Sequence, residues 1–145
     1  MRRAGVAVYV HLVRATWDRL PLLEGEIERR VHRAIAAKCV ELGAEVVALG
    51  GVADHVHLLV ALPATVALAA FVAFVGHVKG ASSHFASHET LRADADGGFF
   101  KWQGAYGAVS VSPDALAEVS SYIAHQREHH ASNALVADWE NVPPR

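Results

Sequence analysis

The sequence has 145 residues, 52% of them hydrophobic, and a formal net charge of −2 with its ten histidines counted as neutral. This length and composition indicate one folded domain, residues 1–145, and the charge excludes the strongly basic character typical of many nucleic-acid-binding domains. Its single cysteine, Cys39, excludes an internal disulfide and fits a reducing compartment.

Membrane segments are not expected. The charged N-terminus is not followed by an apolar signal region, and the longest apolar run, Thr65–Val75, is too short to span a bilayer. We therefore expect a soluble cytoplasmic protein without a membrane partner.

The first half of the chain is predicted to fold in the order strand, helix, strand, strand. Alternating β-branched residues indicate the first strand, and apolar residues at every third or fourth position indicate the helix. A Gly-Gly pair predicts a tight turn between the two later strands, which would make them an antiparallel hairpin. The predicted elements are Val6–Val13 (strand), Arg14–Leu23 (loop), Glu24–Leu42 (helix), Glu45–Leu49 (strand), Gly50–Gly51 (turn) and Asp54–Val60 (strand).

The second half adds a helix, a strand and a final helix. Ser112 followed by Pro113 is a strong start signal for that last helix. The order β-α-β-β-α-β-α predicts an α+β protein of ferredoxin-like type, an antiparallel sheet with two helices on one face, plus an additional C-terminal helix that can cover the other face. The predicted elements are Val66–His84 (helix), Ser87–Gly98 (loop), Phe99–Val111 (strand-like, interrupted by Gly104 and Gly107), Ser112–His130 (helix) and Asn133–Arg145 (C-terminal tail).

Two histidines lie two positions apart in the third predicted strand. Because strand side chains alternate between faces, His55 and His57 point the same way, about 6.6 Å apart, while Val56, Leu58 and Val60 point toward a core. Two imidazoles placed in this way can bind one metal ion. The alternative is a half-buried strand that carries two polar residues without a function.

The last predicted helix carries a tyrosine and a glutamine on one face. Tyr122 and Gln126 are four residues apart, which is about one helical turn. Alone they are ordinary surface residues, but with the strand histidines they suggest an incomplete metal site. Two histidine nitrogens and one amide oxygen leave positions open for substrate oxygens, as catalytic sites do. A mixed nitrogen and oxygen shell favours Mg²⁺ or Mn²⁺ together with phosphate, with Zn²⁺ as the alternative.

A histidine-rich helix end offers a rival metal site. His125 and His129 are one turn apart, as are Gln126 and His130. Such pairs bind zinc in some proteins, although a polar helix face is the more ordinary interpretation.

Five segments in the same order resemble the HUH single-strand DNA transposases that use one catalytic tyrosine, the TnpA-like insertion-sequence family, to which REP-associated tyrosine transposases are related. Together these segments span most of residues 8–130. They are Tyr9–Leu23, the histidine–hydrophobic–histidine motif in Asp54–Val60, Val78–Ser83, Phe100–Ser112, and Tyr122–Gln126 with the Glu-His-His run that follows it.

The resemblance implies a role for each motif. Tyr122 would attack a DNA phosphate to leave a 5′-phosphotyrosine and a free 3′-hydroxyl, and a divalent metal, Mg²⁺ or Mn²⁺, would be held by His55, His57 and Gln126. The implied substrate is single-stranded DNA with a hairpin near the end of a mobile element. The implied assembly is a homodimer whose active sites are shared between the subunits. A metal fits this chemistry because a phenol with a pKa of about 10 is a poor nucleophile unless its target is activated.

Candidate DNA contacts are few. Four residues near the motifs can contact phosphates, and Trp102 can stack on a base. Each has an ordinary alternative, which is a solvated surface residue or, for Trp102, a core aromatic. The four phosphate candidates are Arg14, Lys79, Ser82 and Ser83.

Two departures from the family's pattern leave alternatives open. Trp17-Asp18 stands where the family tends to carry basic residues or tyrosine, and Val66–Val75 has almost no charge. Weaker or more selective DNA binding is expected, or a domesticated copy. The alternatives to a transposase are a REP-associated enzyme that cleaves hairpins at dispersed repeats, and a non-catalytic ferredoxin-like nucleic-acid-binding module.

Overall fold

The part of the chain that the structure describes forms a four-stranded antiparallel sheet with helices on both faces. The computed structural model describes residues 5–71 and 102–143. The strands are β1 (Val8–Thr16), β2 (Glu45–Val52), β3 (His55–Leu62) and β4 (Trp102–Val111). The helices are α1 (Gly25–Glu41), α2, described from residue 68 to residue 71, α3 (Leu116–Ala124), α4 (Gln126–Ser132) and α5 (Ala137–Glu140).

The strands lie in the order β2-β3-β1-β4, and every neighbouring pair is antiparallel. In the central pair, Val13 of β1 lies opposite His57 of β3, and His11 lies opposite Leu59. This is the ferredoxin-like α+β arrangement predicted from the order of the elements, and the prediction is confirmed.

One face of the sheet is covered by α1 and the start of α2. The apolar spacing of α1 turns Val31, Ile35 and Cys39 to one side, where they are buried against the strands. Phe71 of α2 is buried in the same cluster. The two helices therefore share one face, as predicted.

The other face carries the two strand histidines and is covered by α3. Val119 and Ile123 of α3 are buried and pack on Leu59 and Val111 of the sheet. Since strand residues two positions apart share a face, His57 lies on this side together with Leu59. A functional site built on the histidines is consequently enclosed between the sheet and the C-terminal helices.

The predicted turn at Gly50–Gly51 is wrong, because both glycines lie inside β2 and the turn follows at Ala53–Asp54. A Cβ at Gly50 would be 2.6 Å from the carbonyl oxygen of Ile123, and one at Gly51 would be 2.3 Å from that of His55. The glycines therefore allow α3 and β3 to approach β2 closely. They do not reverse the chain.

Three other predicted boundaries need correction. β1 continues to Thr16 instead of ending at Val13. β4 is one strand from Trp102 to Val111 that continues through Gly107, and its pairing with β1 shifts register between Tyr106 and Trp102, where Gly104 lies. The long final helix is divided into a 3₁₀ turn at Pro113–Ala115, α3 and α4.

The break between α3 and α4 lies at His125, whose φ of −110° and ψ of 28° are not helical. Ser112 has the extended backbone of an N-cap, but its side chain makes no capping hydrogen bond. The tail predicted from residue 133 is partly structured, since it contains α5 and packs Trp139 against the cluster of α3.

The loop predicted at Ser87–Gly98 and most of the helix predicted at Val66–His84 lie outside the described residues. Within residues 5–71 and 102–143, no helix has the length and apolar character needed to cross a membrane.

Candidate functional site

The two strand histidines face one point on the α3 side of the sheet. His55 and His57 project from the same face of β3, as their spacing predicts, and they are 1% and 0% exposed. Their ring centroids are 5.0 Å apart. Oε2 of Glu140 lies 3.1 Å from Nε2 of His55 and 3.3 Å from Nε2 of His57. One carboxylate oxygen of Glu140 therefore lies close to Nε2 of His55 and to Nε2 of His57.

Gln126 presents its amide oxygen to the histidines. It is the first residue of α4, just after the break in the helix, and it is 1% exposed. Its Nε2 donates to the carbonyl oxygen of Tyr122 at 3.3 Å, which assigns the amide orientation. Its Oε1 lies 3.4 Å from His55 Nε2 and 3.1 Å from His130 Nε2. The oxygen is thus placed as a ligand atom beside His55.

Tyr122 lies beside the strand histidines and is buried. Its ring centroid is 6.0 Å from that of His57, with the rings nearly perpendicular, and it stacks on His129 at 4.6 Å. Its hydroxyl donates a hydrogen bond to Glu140 and accepts one from the backbone N–H of Val136. Burial, together with the bond to the Glu140 carboxylate, raises the pKa of the phenol. The phenol is therefore protonated at neutral pH.

Two residues of this cluster were not predicted as its ligands. Within the described part of the chain, the one group of three or more His, Cys, Asp or Glu donors within 4.8 Å of one another is His55, His130 and Glu140. His130 lies one turn after Gln126, and that spacing was visible in the sequence, although it indicated a rival site. Glu140 lies in a short segment without a periodic pattern, so no sequence signal pointed to it.

These donors fit a divalent cation. Atoms that share one ion with bonds of about 2.1 Å lie about 3.0–3.4 Å apart in octahedral or tetrahedral shells. The contacts of His55 Nε2 with Glu140 and Gln126, at 3.1 and 3.4 Å, match this spacing, as does the 3.3 Å contact of His57. Nε2 of His57 is buried and makes no hydrogen bond. A buried nitrogen that lies 3.3 Å from the Glu140 carboxylate and has no hydrogen bond is available to an ion.

The charges of the cluster are strongly coupled. Burial opposes a charge on His55, but hydrogen bonds to Asp54 and Glu140 outweigh it and raise the pKa of His55 to about 9. Burial opposes the charge of Glu140, but hydrogen bonds from His55 and Tyr122 and the nearby ring of His57 outweigh burial and lower the pKa of Glu140. Burial lowers the pKa of His57. A proton on His55 therefore supplies the positive charge that a cation would bring to the same carboxylate.

The predicted DNA contacts do not join this cluster where the structure describes them. Arg14 is buried on the opposite face of β1, donates to the carbonyl oxygen of Gln103 at 3.2 Å and lies over the ring of Tyr106. Trp102 is 2% exposed and belongs to the core cluster of α1. In this position its ring offers no face to a base, and stacking would require it to leave the core.

The remaining three predicted contacts, Lys79, Ser82 and Ser83, lie outside the described residues.

The rival pair of His125 and His129 does not form a second site. His125 Nδ1 donates to the carbonyl oxygen of Ser121 at 2.7 Å, while His129 stacks on Tyr122.

Comparison with known proteins adds one family and two related structures. Residues 5–126 match the family model described as "Transposase IS200 like". No curated protein matches the chain. The crystal structure of a candidate transposase from Deinococcus radiodurans R1 is 29% identical, with 87% of this chain and 96% of that chain covered and a TM-score of 0.62.

The second structure is a REP-associated tyrosine transposase bound to a REP hairpin. It is 16% identical, with 90% of this chain and 73% of that chain covered and a TM-score of 0.64. At this identity the likeness shows a shared fold. The match to the family model ends at residue 126, so most of α4 and all of α5, with Glu140, lie beyond it.

Proposed function

The chain belongs to the IS200-like transposase family, and from this premise we propose that it cleaves and rejoins single-stranded DNA through a covalent bond to Tyr122. The phenol oxygen of Tyr122 forms a bond to a DNA phosphorus while the bond from that phosphorus to the 3′ oxygen breaks. The phenol loses its proton and the 3′ oxygen gains one, which leaves a 5′-phosphotyrosine and a free 3′-hydroxyl. Attack by a 3′-hydroxyl on the phosphotyrosine reverses the step and rejoins a strand.

One observation carries the proposal: the tyrosine and the paired strand histidines share a buried cluster. The rings of Tyr122 and His57 are 6.0 Å apart, and Gln126 brings its amide oxygen to within 3.4 Å of His55. We assign His55, His57 and Gln126 as the residues that hold a divalent metal, Mg²⁺ or Mn²⁺. When bound, such an ion would polarise the DNA phosphate and offset the negative charge of Glu140.

Glu140 occupies the position beside Tyr122 and the strand histidines that the DNA phosphate would take in the reaction. One of its oxygens accepts the hydrogen bond of Tyr122, and the other faces both strand histidines. A phosphodiester also presents two non-bridging oxygens that share one negative charge, so it can take the place of this carboxylate. In the proposed cycle, the substrate phosphate displaces Glu140 before the phenol oxygen reaches phosphorus.

We also propose that the active site forms within one subunit. The resemblance implies a homodimer with shared sites, whereas the contacts between Tyr122, Gln126 and the strand histidines are all made within one chain. These contacts support catalysis by a single subunit, and a dimer would then carry two independent sites.

The proposed substrate is single-stranded DNA beside a hairpin. The support is the fold shared with the REP-associated tyrosine transposase, which was solved with a REP hairpin. The same likeness favours a second candidate, a domesticated endonuclease that cleaves hairpins at dispersed repeats. Paired hairpins at the two ends of the surrounding locus would support a mobile element, and scattered hairpins would support the second candidate.

A covalent adduct assay tests the proposal. Purified protein is incubated with Mn²⁺ and single-stranded oligonucleotides that carry the hairpins of its own locus, and protein–DNA adducts are separated under denaturing conditions. We expect an adduct with the wild type and none with Tyr122→Phe. Tyr9→Phe is the matched control, because Tyr9 is a tyrosine of β1 that packs against the apolar cluster of Leu59, Val111, Val119 and Ile123. Removal of the ion with EDTA should also abolish the adduct.

An adduct formed by Tyr122→Phe would contradict the assignment of the nucleophile. An adduct formed in EDTA would contradict the role of the metal. Tight hairpin binding by the wild type without any adduct would favour the non-catalytic binding module.

A further inference from the structure

Each strand histidine is held at Nδ1 by a second side chain. His55 Nδ1 is 2.6 Å from Oδ1 of Asp54, and His57 Nδ1 is 2.8 Å from Nε2 of His11. We propose that Asp54 and His11 are positioning residues that fix the orientation and the tautomer of the two strand histidines, so that both Nε2 atoms can bind a divalent cation. The inference rests on the proposed function, since it concerns the same site.

Asp54 keeps a proton on Nδ1 of His55. A carboxylate only accepts hydrogen bonds, so the nitrogen that faces it carries the hydrogen. The neutral ring then has its lone pair on Nε2, the atom that faces Glu140 and Gln126. Nη1 of Arg19 lies 4.0 Å from Oδ1 of Asp54 and favours the ionised carboxylate. Histidines that bind metals commonly donate their other N–H to such a carboxylate, which makes them stronger ligands.

His11 has the same relation to His57 but acts through a ring nitrogen. When Nε2 of His57 gives its lone pair to an ion, the proton lies on Nδ1 and is donated to Nε2 of His11. In the opposite tautomer, Nε2 of His11 donates to Nδ1 of His57, and the proton on Nε2 of His57 blocks the ion. The first arrangement needs an acceptor behind His57, and His11, which is 0% exposed, supplies it.

Neither side-chain contact is needed to hold the backbone in place. The carbonyl oxygen of Asp54 accepts hydrogen bonds from the backbone N–H of Thr16 at 2.9 Å and from its hydroxyl at 3.0 Å. His11 lies in β1, which is paired on both sides with β3 and β4. Variants that change only these side chains are therefore expected to keep the fold.

The test is Mn²⁺ binding to the full chain without DNA. Electron paramagnetic resonance (EPR) of free Mn²⁺ gives the dissociation constant, and pulsed EPR detects the nitrogen couplings of bound imidazoles. We expect Asp54→Asn to weaken binding about 10-fold and His11→Leu to weaken it about 10- to 100-fold, with smaller nitrogen couplings. His11→Gln should recover most of the affinity, because its amide oxygen can accept from His57 Nδ1. Asp138→Asn, the same change at an exposed residue of α5, should bind as the wild type does.

Two variants and two readouts distinguish a failure of the positioning roles of Asp54 and His11 from a failure of the proposed metal site. Wild-type affinity and couplings in both Asp54→Asn and His11→Leu would overturn the inference, while loss of binding in His57→Ala would still support the metal site. An equal loss in Asp54→Asn and Asp138→Asn would indicate a general charge effect and would also overturn it. If the wild type binds no Mn²⁺, or His57→Ala binds it normally, the proposed metal site fails and the inference fails with it.

Discussion

The hydroxyl of Tyr122 donates a hydrogen bond to Glu140, a residue of α5 that lies beyond the region matched by the family model. The other oxygen of the same carboxylate faces the two strand histidines. One side chain thus connects the proposed nucleophile with the proposed metal ligands. A change that neutralises or moves this carboxylate should alter both.

Glu140→Gln keeps the size of the side chain and removes its charge. We expect Mn²⁺ affinity to fall about 10-fold, because a charged donor is lost. At saturating Mn²⁺, adduct formation should reach half its maximum at a lower DNA concentration than in the wild type, because the DNA phosphate no longer displaces an anion. Glu45→Gln, the same change at an exposed residue of β2, is the control. A lower maximal adduct rate would show instead that the carboxylate is required in the reacting complex.

Gly107→Ala is expected to move Glu140 without changing any residue of the site. A Cβ at Gly107 would lie 1.9 Å from the carbonyl oxygen of Asn141, so the segment that follows α5 must shift. We expect the free energy of unfolding to fall by about 1–3 kcal/mol, and the DNA dependence of adduct formation to change as in Glu140→Gln. Urea titration and the adduct assay measure the two effects.

Gly104→Ala is the matched control for this prediction. It introduces the same methyl group on the same strand, where nothing lies within 4 Å of a Cβ. Its free energy of unfolding should stay within about 0.5 kcal/mol of the wild type. If the two alanine variants behave alike, the C-terminal segment does not pack on β4 in solution.

The ion-free protein should be most stable near pH 6.5–7, because two buried histidines have pKa values shifted in opposite directions. The pKa of His55 is raised from 6.5 to about 9, so its contribution is complete below pH 6.5 and is lost as the pH rises through 9. The pKa of His11 is lowered to about 4, mainly by burial, so stability is lost as the pH falls from 6.5 toward 4. Each loss should be on the order of 3 kcal/mol by urea unfolding in EDTA.

Asp54→Asn separates the two sides of this pH profile. It removes one carboxylate partner of His55, so the loss of stability above pH 6.5 should become smaller while the loss on the acid side stays the same. A wild-type stability that keeps rising to pH 9 would contradict the predicted ion pair of His55.

Mixing two inactive variants tests whether the active site lies within one subunit. Tyr122→Phe lacks the nucleophile and His57→Ala lacks a metal ligand. Because the structure brings Tyr122 and His57 together in one chain, a mixture of the two variants should form no adduct beyond the sum of the separate proteins. Recovery of adduct after mixing, or after joint refolding, would show that the site is shared between subunits, as the resemblance implies.

The local patterns of the sequence predicted the fold well where a pattern is compatible with a single kind of structure. The period of two in β3 and of three to four in α1 gave the correct elements, and their order gave the correct sheet. The Gly-Gly pair at residues 50–51 misled the prediction, because glycine serves both turns and close approach. Only the tertiary position of Ile123 shows which use applies.

The cluster was predictable only in part for a similar reason. The spacing of His55 and His57 and of Tyr122 and Gln126 follows from regular strand and helix geometry, so the sequence alone grouped them. Glu140 comes from a four-residue helix whose place is set by packing on the sheet, which leaves no periodic pattern. The break at His125 was also hidden, because the apolar spacing continues through α3 and nothing in the sequence marks its end.

The cluster draws its members from strands and helices that are far apart along the chain. His11 and His57 are separated by 46 residues, and His55 and Gln126 by 71. An ion bound by these residues would connect the sheet to the C-terminal helices. The same ligands are not held close together in the unfolded chain, so the ion would bind the folded state preferentially. By mass action, a concentration 100 times the dissociation constant would add about 2.7 kcal/mol to the free energy of unfolding. A higher melting temperature in Mn²⁺ than in EDTA would then show, before any DNA is added, that the ion joins the sheet to these helices.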